Sequence, residues 1–187
     1  HWRSADSKTD VGGDADFGLA GKPERWALKG QARLQRGSER ATVDITGTGN
    51  RDGMDVQSLR ATMPQGRLDA TGNVAWMPTV KWNADATLAG FDPGYFLPDW
   101  PGAINGRLAS TGELREAGKG LLAHVDASKL GGQLRKRALS GRATVDIDGD
   151  AYRGDVALGL GDSRIDAKGS IAATMQVDAN LSPLHLD

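Results

Sequence analysis

Residues 41–46 read Ala-Thr-Val-Asp-Ile-Thr, so apolar and polar side chains alternate at every position. Successive side chains of a β-strand point to opposite faces, which gives such a segment one apolar and one polar face. The same five residues, Ala-Thr-Val-Asp-Ile, return at 143–147. This alternation predicts strands with one dry face.

Similar alternating segments fill most of the chain, and roughly a dozen strands are expected at a spacing of about 8–12 residues. Gly, Asn and Asp at 47–53 and 148–150 are typical of hairpin tips. The parity of apolar positions changes between Val56 and Leu59, which predicts a β-bulge. Apolar residues never sustain a helical spacing. The pattern predicts an all-β fold, and it leaves sandwich, barrel and extended meander open.

The composition is that of a folded domain, with 39% hydrophobic and 25% charged residues in 187. A net charge of -1 gives no long-range attraction to nucleic acid. The absence of cysteine excludes disulfides and thiolate catalysis. The basic group at 135–137 could contact lipid phosphates, but a solvated strand end or loop is the favoured interpretation. Because the chain opens on His1 without Met, we interpret it as a piece of a longer protein.

The alternation is interrupted once, at residues 91–102, which read Phe-Asp-Pro-Gly-Tyr-Phe-Leu-Pro-Asp-Trp-Pro-Gly. Three prolines exclude a central strand. Asp92 before Pro93 is expected to cap one short helical turn. The segment is expected to fold over one edge or end of the dry face through four apolar side chains. These are Tyr95, Phe96, Leu97 and Trp100.

A second repeat accompanies the first. Residues 67–74, Arg-Leu-Asp-Ala-Thr-Gly-Asn-Val, are similar to residues 164–171, Arg-Ile-Asp-Ala-Lys-Gly-Ser-Ile. Repetition of a multi-strand unit predicts an array in which neighbouring units stack. The predicted divisions are a frayed or added start at 1–14 and one β-trough segment at 15–187, with related units at about 17–112 and 118–187.

The motifs that could indicate catalysis or metal binding are not supported by their position and spacing in the chain. Residues 161–163, Gly-Asp-Ser, resemble the opening of GDS-type lipases but occupy a hairpin position late in the chain. Residues 146–150 resemble the start of a calcium loop but lack its later Gly and Glu. His1, His124 and His185 lie far apart, with no ligand spacing. We therefore expect no enzyme, no cofactor and no metal site.

A more specific pattern covers about twenty residues. Leu-Ala-Gly-Phe-Asp-Pro-Gly-Tyr-Phe-Leu-Pro-Asp-Trp-Pro-Gly at 88–102, followed by Ile-Asn-Gly-Arg-Leu at 104–108, resembles a segment of the TamB family. These are the AsmA-like, inner-membrane-anchored subunits of the bacterial translocation and assembly module. The residues that carry the resemblance are Asp92, Pro93, Phe96, Pro98, Asp99, Trp100, Pro101 and Gly102.

The resemblance implies a periplasmic segment of a longer, inner-membrane-anchored protein. It also implies a long, curved, mostly antiparallel sheet folded into an apolar trough, a β-taco. The implied roles are phospholipid transport between the inner and outer membranes and outer-membrane biogenesis. The implied partners are phospholipid acyl chains, or unfolded outer-membrane protein segments, and the outer-membrane TamA barrel through regions outside this chain. No nucleic acid is expected.

The expected lining of the groove is the apolar set of the alternating segments. Its members are Val43, Ile45, Leu68, Val74, Val80, Trp82, Leu88, Ile104, Leu108, Val145, Ile147, Val156, Leu158, Ile165, Ile171, Val177 and Leu181. Two other functions stay open at this point. The first is a chaperone or scaffold for autotransporter assembly and protein secretion, and the second is a closed structural β-sandwich or an adhesin-like domain.

Overall fold

One antiparallel sheet contains every strand of the part of the chain that the structure describes. The computed structural model describes residues 2–3, 11–115, 120–172 and 174–182. Each strand pairs with the next one along the chain, so the order β1 to β13 has no crossover. The strands are β1 Trp2–Arg3, β2 Gly12–Lys22, β3 Arg25–Arg36, β4 Glu39–Gly49, β5 Gly53–Thr62, β6 Arg67–Ala75, β7 Lys81–Phe91, β8 Gly102–Leu114, β9 Leu121–Leu134, β10 Arg137–Asp148, β11 Ala151–Leu160, β12 Ser163–Ile171 and β13 Met175–Ser182.

The sheet is curved and unclosed, which confirms the all-β antiparallel prediction. Because all neighbouring strands run antiparallel, the parallel coil of an adhesin-like solenoid is excluded for the described residues. The predicted bulge is confirmed, since the β5–β6 register shifts between Val56 and Leu59. The Gly-Asp turn at 161–162 and the Gly-Asp turn at 149–150 are hairpin tips, as predicted.

Among the described residues no second layer covers the apolar face of the sheet. The chain exposes 12425 Å² to solvent, whereas a compact monomer of this mass exposes about 8,600 Å². A closed sandwich would interdigitate two apolar faces and bury many large side chains. The hydrophobic residues buried among those described are instead few: Val11, Ala41, Met63, Leu88, Tyr95 and Ala123. The sandwich alternative is therefore wrong.

Aromatic rings lie flat on cross-strand glycines of the apolar face. A Cβ added to Gly112 would stand 2.1 Å from the ring of Trp82, its register partner. The same holds for Gly49 under the ring of Trp26, at 2.3 Å. Each glycine thus gives the ring the place that a side chain would take. The pairing lets large rings lie along the sheet rather than stand up from it.

The repeated sequences occupy equivalent places in the sheet. Residues 41–45 lie in β4 and residues 67–74 in β6, two strands further on. Residues 143–147 lie in β10 and residues 164–171 in β12, again two strands further on. The division into two units stays a prediction. Of the predicted start at 1–14, residues 1 and 4–10 lie outside the described residues, and β2 already begins at Gly12.

Replacement of Gly112 by alanine is expected to destabilise the protein by about 1–3 kcal/mol, because the Trp82 ring must move away. Gly154 is a matched control on the same face, since its nearest neighbour would lie 3.8 Å from an added Cβ. Gly154→Ala is expected to be neutral or slightly stabilising. Urea unfolding measures both variants. Equal stabilities for Gly112→Ala and Gly154→Ala would contradict the ring-on-glycine packing.

Candidate functional site

The strand register aligns uncharged residues into rows that run across the sheet. Facing residues in adjacent strands share a face, so each register column continues from β2 to β13. In the central row every member is apolar or glycine. It consists of Phe17, Gly30, Ile45, Leu59, Ala70, Ala86, Leu108, Ala127, Ala143, Val156, Ala167 and Ala179.

Two further rows lie next to each other on one side of the central row, and they also contain no charged residue. The first consists of Leu19, Leu28, Gly47, Val56, Gly72, Ala84, Ser110, Val125, Val145, Gly154, Gly169 and Val177. The second consists of Gly21, Trp26, Gly49, Met54, Val74, Trp82, Gly112, Ala123, Ile147, Tyr152, Ile171 and Met175.

A fourth row on the other side of the central one is interrupted by the bulge between Asn105 and Arg107. Its members before the bulge are Ala15, Ala32, Val43, Ala61, Leu68 and Leu88. After the bulge it continues with Leu130, Gly141, Leu158, Ile165 and Leu181. We call the four rows the apolar strip. It is about 50 Å long across the strands and about 20 Å wide along them.

The register brings nearly all the residues of the predicted groove into the strip. Those within its four rows are Val43, Ile45, Leu68, Val74, Trp82, Leu88, Leu108, Val145, Ile147, Val156, Leu158, Ile165, Ile171, Val177 and Leu181. Ile104 lies one row beyond, paired with Phe91. Val80 is not in a strand; it lies between β6 and β7 and is 37% exposed. Of the whole predicted set only Leu88 is buried.

Aromatic residues at one margin of the strip were missed by the sequence-based list. Trp26 stacks on Trp76 with ring centroids 6.5 Å apart. Their indole N–H groups donate to the backbone carbonyls of Asn50 and Arg51, at 3.1 and 2.6 Å. Tyr152 faces Ile147 in the same row. The signal was available, because Trp26 and Tyr152 share the parity of the other strip positions in their strands.

A groove of about 730 Å³ opens at this margin, between β7 and β12. The strip residues that line it are Trp82, Gly112, Ala123, Ile147, Tyr152 and Ile171. Charged side chains stand beside it in cross-strand pairs, among them Lys81 with Glu113 at 3.3 Å. The groove therefore has an apolar floor next to a polar edge, which suits an amphipathic ligand.

The opposite end of the strands carries the segment that interrupts the alternation. Pro93–Tyr95 forms a single 3₁₀ turn. The Asp92 carboxylate accepts from the backbone N–H of Gly94 at 2.9 Å and from that of Gly102 at 2.8 Å. Asp92 thus caps the turn as predicted and also closes the loop. Arg36 of β3 donates to the carbonyl oxygens of Gly94 and Tyr95, at 2.5 and 3.2 Å.

Tyr95 closes this end of the apolar face over β3 to β5. Its side chain is 2% exposed and packs in a cluster with Val11, Ala41 and Met63. Within the described residues its hydroxyl makes no hydrogen bond of ordinary geometry. Burial raises the pKa of the Tyr95 phenol, and the nearby Glu39 carboxylate raises it further, although the Ala41 backbone lies near enough to lower the pKa against these two effects.

The expectation that four large residues of this segment cover the dry face is correct only for Tyr95. Phe96, Leu97 and Trp100 are 40%, 56% and 45% exposed. The reason is the loop's anchoring: once Asp92 and Arg36 fix the turn, only Tyr95 is directed into the cluster. Of the remaining motif residues, Pro98, Asp99 and Pro101 are exposed and Gly102 begins β8.

The other face of the sheet is polar and carries cross-strand ion pairs. Arg60 and Arg67 contact Asp69 at 2.5 and 2.9 Å, and the hydrogen bond from Arg60 is the main cause that lowers the pKa of Asp69. The Arg164 guanidinium likewise lowers the pKa of Asp166. Such exposed pairs add little stability. Their effect here is to keep this face wetted while the strip stays uncharged.

The residues considered for catalysis or metal binding lie on the polar face or at turns. The His124 side chain lies on the polar face, is 48% exposed, and has its Nδ1 2.6 Å from the Asp146 carboxylate. His1 and His185 lie outside the described residues. Within those that are described, no group of three acidic, His or Cys side chains could hold a metal ion. No described helix is long and apolar enough to cross a bilayer.

Together these features define an open antiparallel β-sheet protein with one continuous apolar face and one end closed by a tyrosine. The family model described as "TamB, N-terminal domain" matches residues 4–187, so the chain belongs to the TamB family. No solved structure matches the chain. The family is a transport and assembly module of the bacterial periplasm, anchored in the inner membrane, and is not a known enzyme family.

Replacement of Tyr95 by phenylalanine is expected to raise stability by about 1 kcal/mol, because it removes a buried hydroxyl that makes no hydrogen bond of ordinary geometry. Tyr95→Ala is expected to lose about 3–5 kcal/mol, because it empties the cluster at the end of the strip. Urea unfolding distinguishes the two. A loss of stability in Tyr95→Phe would show that the hydroxyl makes a stabilising bond.

Proposed function

We propose that the apolar strip holds phospholipid acyl chains and supports their passage between the inner and outer membranes. The observation that carries this proposal is the set of three uncharged rows across twelve strands, which no layer covers in the part of the chain that the structure describes. Soluble monomers rarely expose more than a few hundred Å² of contiguous apolar surface unless it binds something. Each buried methylene of a guest contributes about 0.8 kcal/mol.

The dimensions of the strip suit acyl chains. A bilayer core of about 30 Å contains two chain lengths, so one chain is about 15 Å long. The strip is about 20 Å wide and about 50 Å long, and it accommodates several chains. Its side chains are chiefly Ala, Val, Leu, Ile and Gly, which present a smooth surface with few polar groups, and the Ser110 hydroxyl among them already accepts from the Trp82 indole at 3.0 Å. A guest can therefore lie at many places along it, as passage requires.

The folding of this sheet into a trough, the β-taco, is part of the same proposal. Curvature would bring the two margins of the strip toward each other and shield acyl chains from water. The groove beside Trp82 and Tyr152 supports it, because its apolar floor meets charged pairs where a lipid headgroup would stand. Contact with the TamA barrel is proposed for regions of the parent protein outside this chain.

A chaperone for unfolded outer-membrane protein segments is the second candidate. One observation favours it: Val177 and Leu181 of the strip are more than half exposed, and the uncharged rows would offer apolar contacts to alternate side chains of an extended client segment.

Replacement of Val145 by aspartate is expected to lower the phospholipid retained by the purified protein at least about tenfold, because a carboxylate in the strip has no partner among acyl chains. Val145 lies in the row next to the central one, facing Val125 and Gly154. Mass spectrometry of organic extracts measures the lipid, and far-ultraviolet circular dichroism verifies the fold.

Ser140→Asp is the matched control, because Ser140 is an exposed residue on the polar face of the same strand, β10. It adds the same charge, and its lipid content is expected to equal that of the wild type. Equal lipid in a folded Val145→Asp variant would contradict the conduit. Loss of bound unfolded polypeptide, with lipid unchanged, would favour the chaperone.

A further inference from the structure

The turn between β9 and β10 holds two basic residues in an unfavourable backbone conformation. Arg135 and Lys136 have φ values of 50° and 65°. A two-residue hairpin turn with positive φ at both positions normally contains Asn-Gly or a similar pair, which tolerates this region. Backbone strain that persists at an exposed site is a reason to look for a function there.

The strained turn is attached to the loop that carries Trp100. The Arg135 backbone N–H donates to the Pro101 carbonyl oxygen at 2.7 Å. The Arg135 guanidinium lies over the Trp100 ring, with Cζ 5.5 Å from the ring centroid. The cation–π contact leaves the rest of the guanidinium available to other partners. Arg135 and Trp100 are thus displayed together as one unit.

The same loop displays two further large apolar side chains, Phe96 and Leu97. They are exposed, although the loop itself is well ordered by hydrogen bonds. Leu97 N–H donates to the Pro93 carbonyl and Trp100 N–H donates to the Leu97 carbonyl, both at 2.8 Å. We call the residues 96–100 together with 135–137 the tip. It lies at the end of the strands, beside the apolar strip.

We propose that the tip binds the surface of a bilayer that contains anionic phospholipids. Exposed aromatic rings next to basic side chains are the combination that lies at membrane interfaces, where rings occupy the headgroup level and cations meet phosphate. The tip contains three basic residues and one acidic residue, Asp99, and with Asp162 at the neighbouring turn the local excess is one positive charge; Arg135 and Lys136 are the exposed cations that would meet phosphate. Its charge therefore complements an anionic surface, although the chain as a whole carries -1.

The size of the tip also favours a bilayer over a protein partner. A specific protein interface needs about 1,000 Å² with complementary shape, more than three side chains and a two-residue turn provide. A fluid bilayer surface needs no such complement. The inference goes beyond the proposed function, since the tip would dock to a membrane whether or not the strip carries lipid.

Vesicle co-flotation of the full chain tests the proposal, with vesicles of phosphatidylcholine alone and of phosphatidylcholine mixed with phosphatidylglycerol. Each cation near such a surface contributes about fivefold to binding. Lys136→Gly is therefore expected to weaken binding to the anionic vesicles about fivefold, and Arg135→Asn with Lys136→Gly about 30-fold. Each substitution introduces a residue that tolerates positive φ at its position. Both variants should therefore melt at or above the wild-type temperature, so misfolding cannot explain weaker vesicle binding.

Lys129→Gly is the matched control, because Lys129 is also an exposed lysine with positive φ, at 52°, but lies about 20 Å from the turn along β9. It is expected to bind vesicles as the wild type does. Unchanged binding in the Arg135→Asn, Lys136→Gly variant overturns the proposal, and so does equal binding to both vesicle types. If Val145→Asp alone abolishes flotation, the strip and not the tip holds the membrane.

Discussion

Within the described residues the sheet neither closes into a barrel nor packs against a second layer, so its apolar face has no partner in the chain, and the other features of the molecule follow from this. Each described strand pairs with its neighbours along the chain, and β1 and β13 do not pair with each other. The apolar residues that a sandwich would bury remain on an open surface, and the chain exposes 12425 Å². Such a surface invites aggregation unless a ligand, a membrane or another chain covers it. The function of the protein follows from whichever of these covers the strip.

Several local features limit the apolar area that the open face exposes to water. Most residues of the central row are alanine or glycine, which keeps the apolar surface shallow. The rings of Trp26 and Trp82 lie flat over glycines, and their N–H groups are paired, so they expose less apolar area than upright rings would. Tyr95 closes one end through a loop held by Asp92 and Arg36. On the reverse face, ion pairs maintain solubility. The sheet is stabilised by its ladder of backbone bonds and by contacts within one layer, with a small enclosed core.

The fold was largely predictable because alternation is a local property. Parity alone assigned Val43, Leu108 and Val156 to one face, and even the bulge after Val56 was visible as a change of parity. Parity could not decide whether that face meets a second sheet, because an open and a closed sheet need the same pattern; the large exposed area and the few buried side chains decide it. The sequence also could not predict which side chains of the interrupting loop are buried. The direction of Tyr95 and the exposure of Phe96 and Trp100 depend on the long-range hydrogen bond from Arg36. Val80 has the same parity as the strip residues of β7, but it lies in the turn before that strand, and parity alone does not distinguish a turn from a strand.

Photocrosslinking along one strand distinguishes a strip that holds phospholipid from one that does not. A photoreactive amino acid is placed at each of residues 143–147 in turn, and the adducts formed in cells are identified by mass spectrometry. Because the strand register puts 143, 145 and 147 on the strip and 144 and 146 on the polar face, phospholipid adducts are expected at the first three positions only. Lipid adducts of equal yield at all five positions, or none at 143, 145 and 147, would contradict lipid binding on the strip.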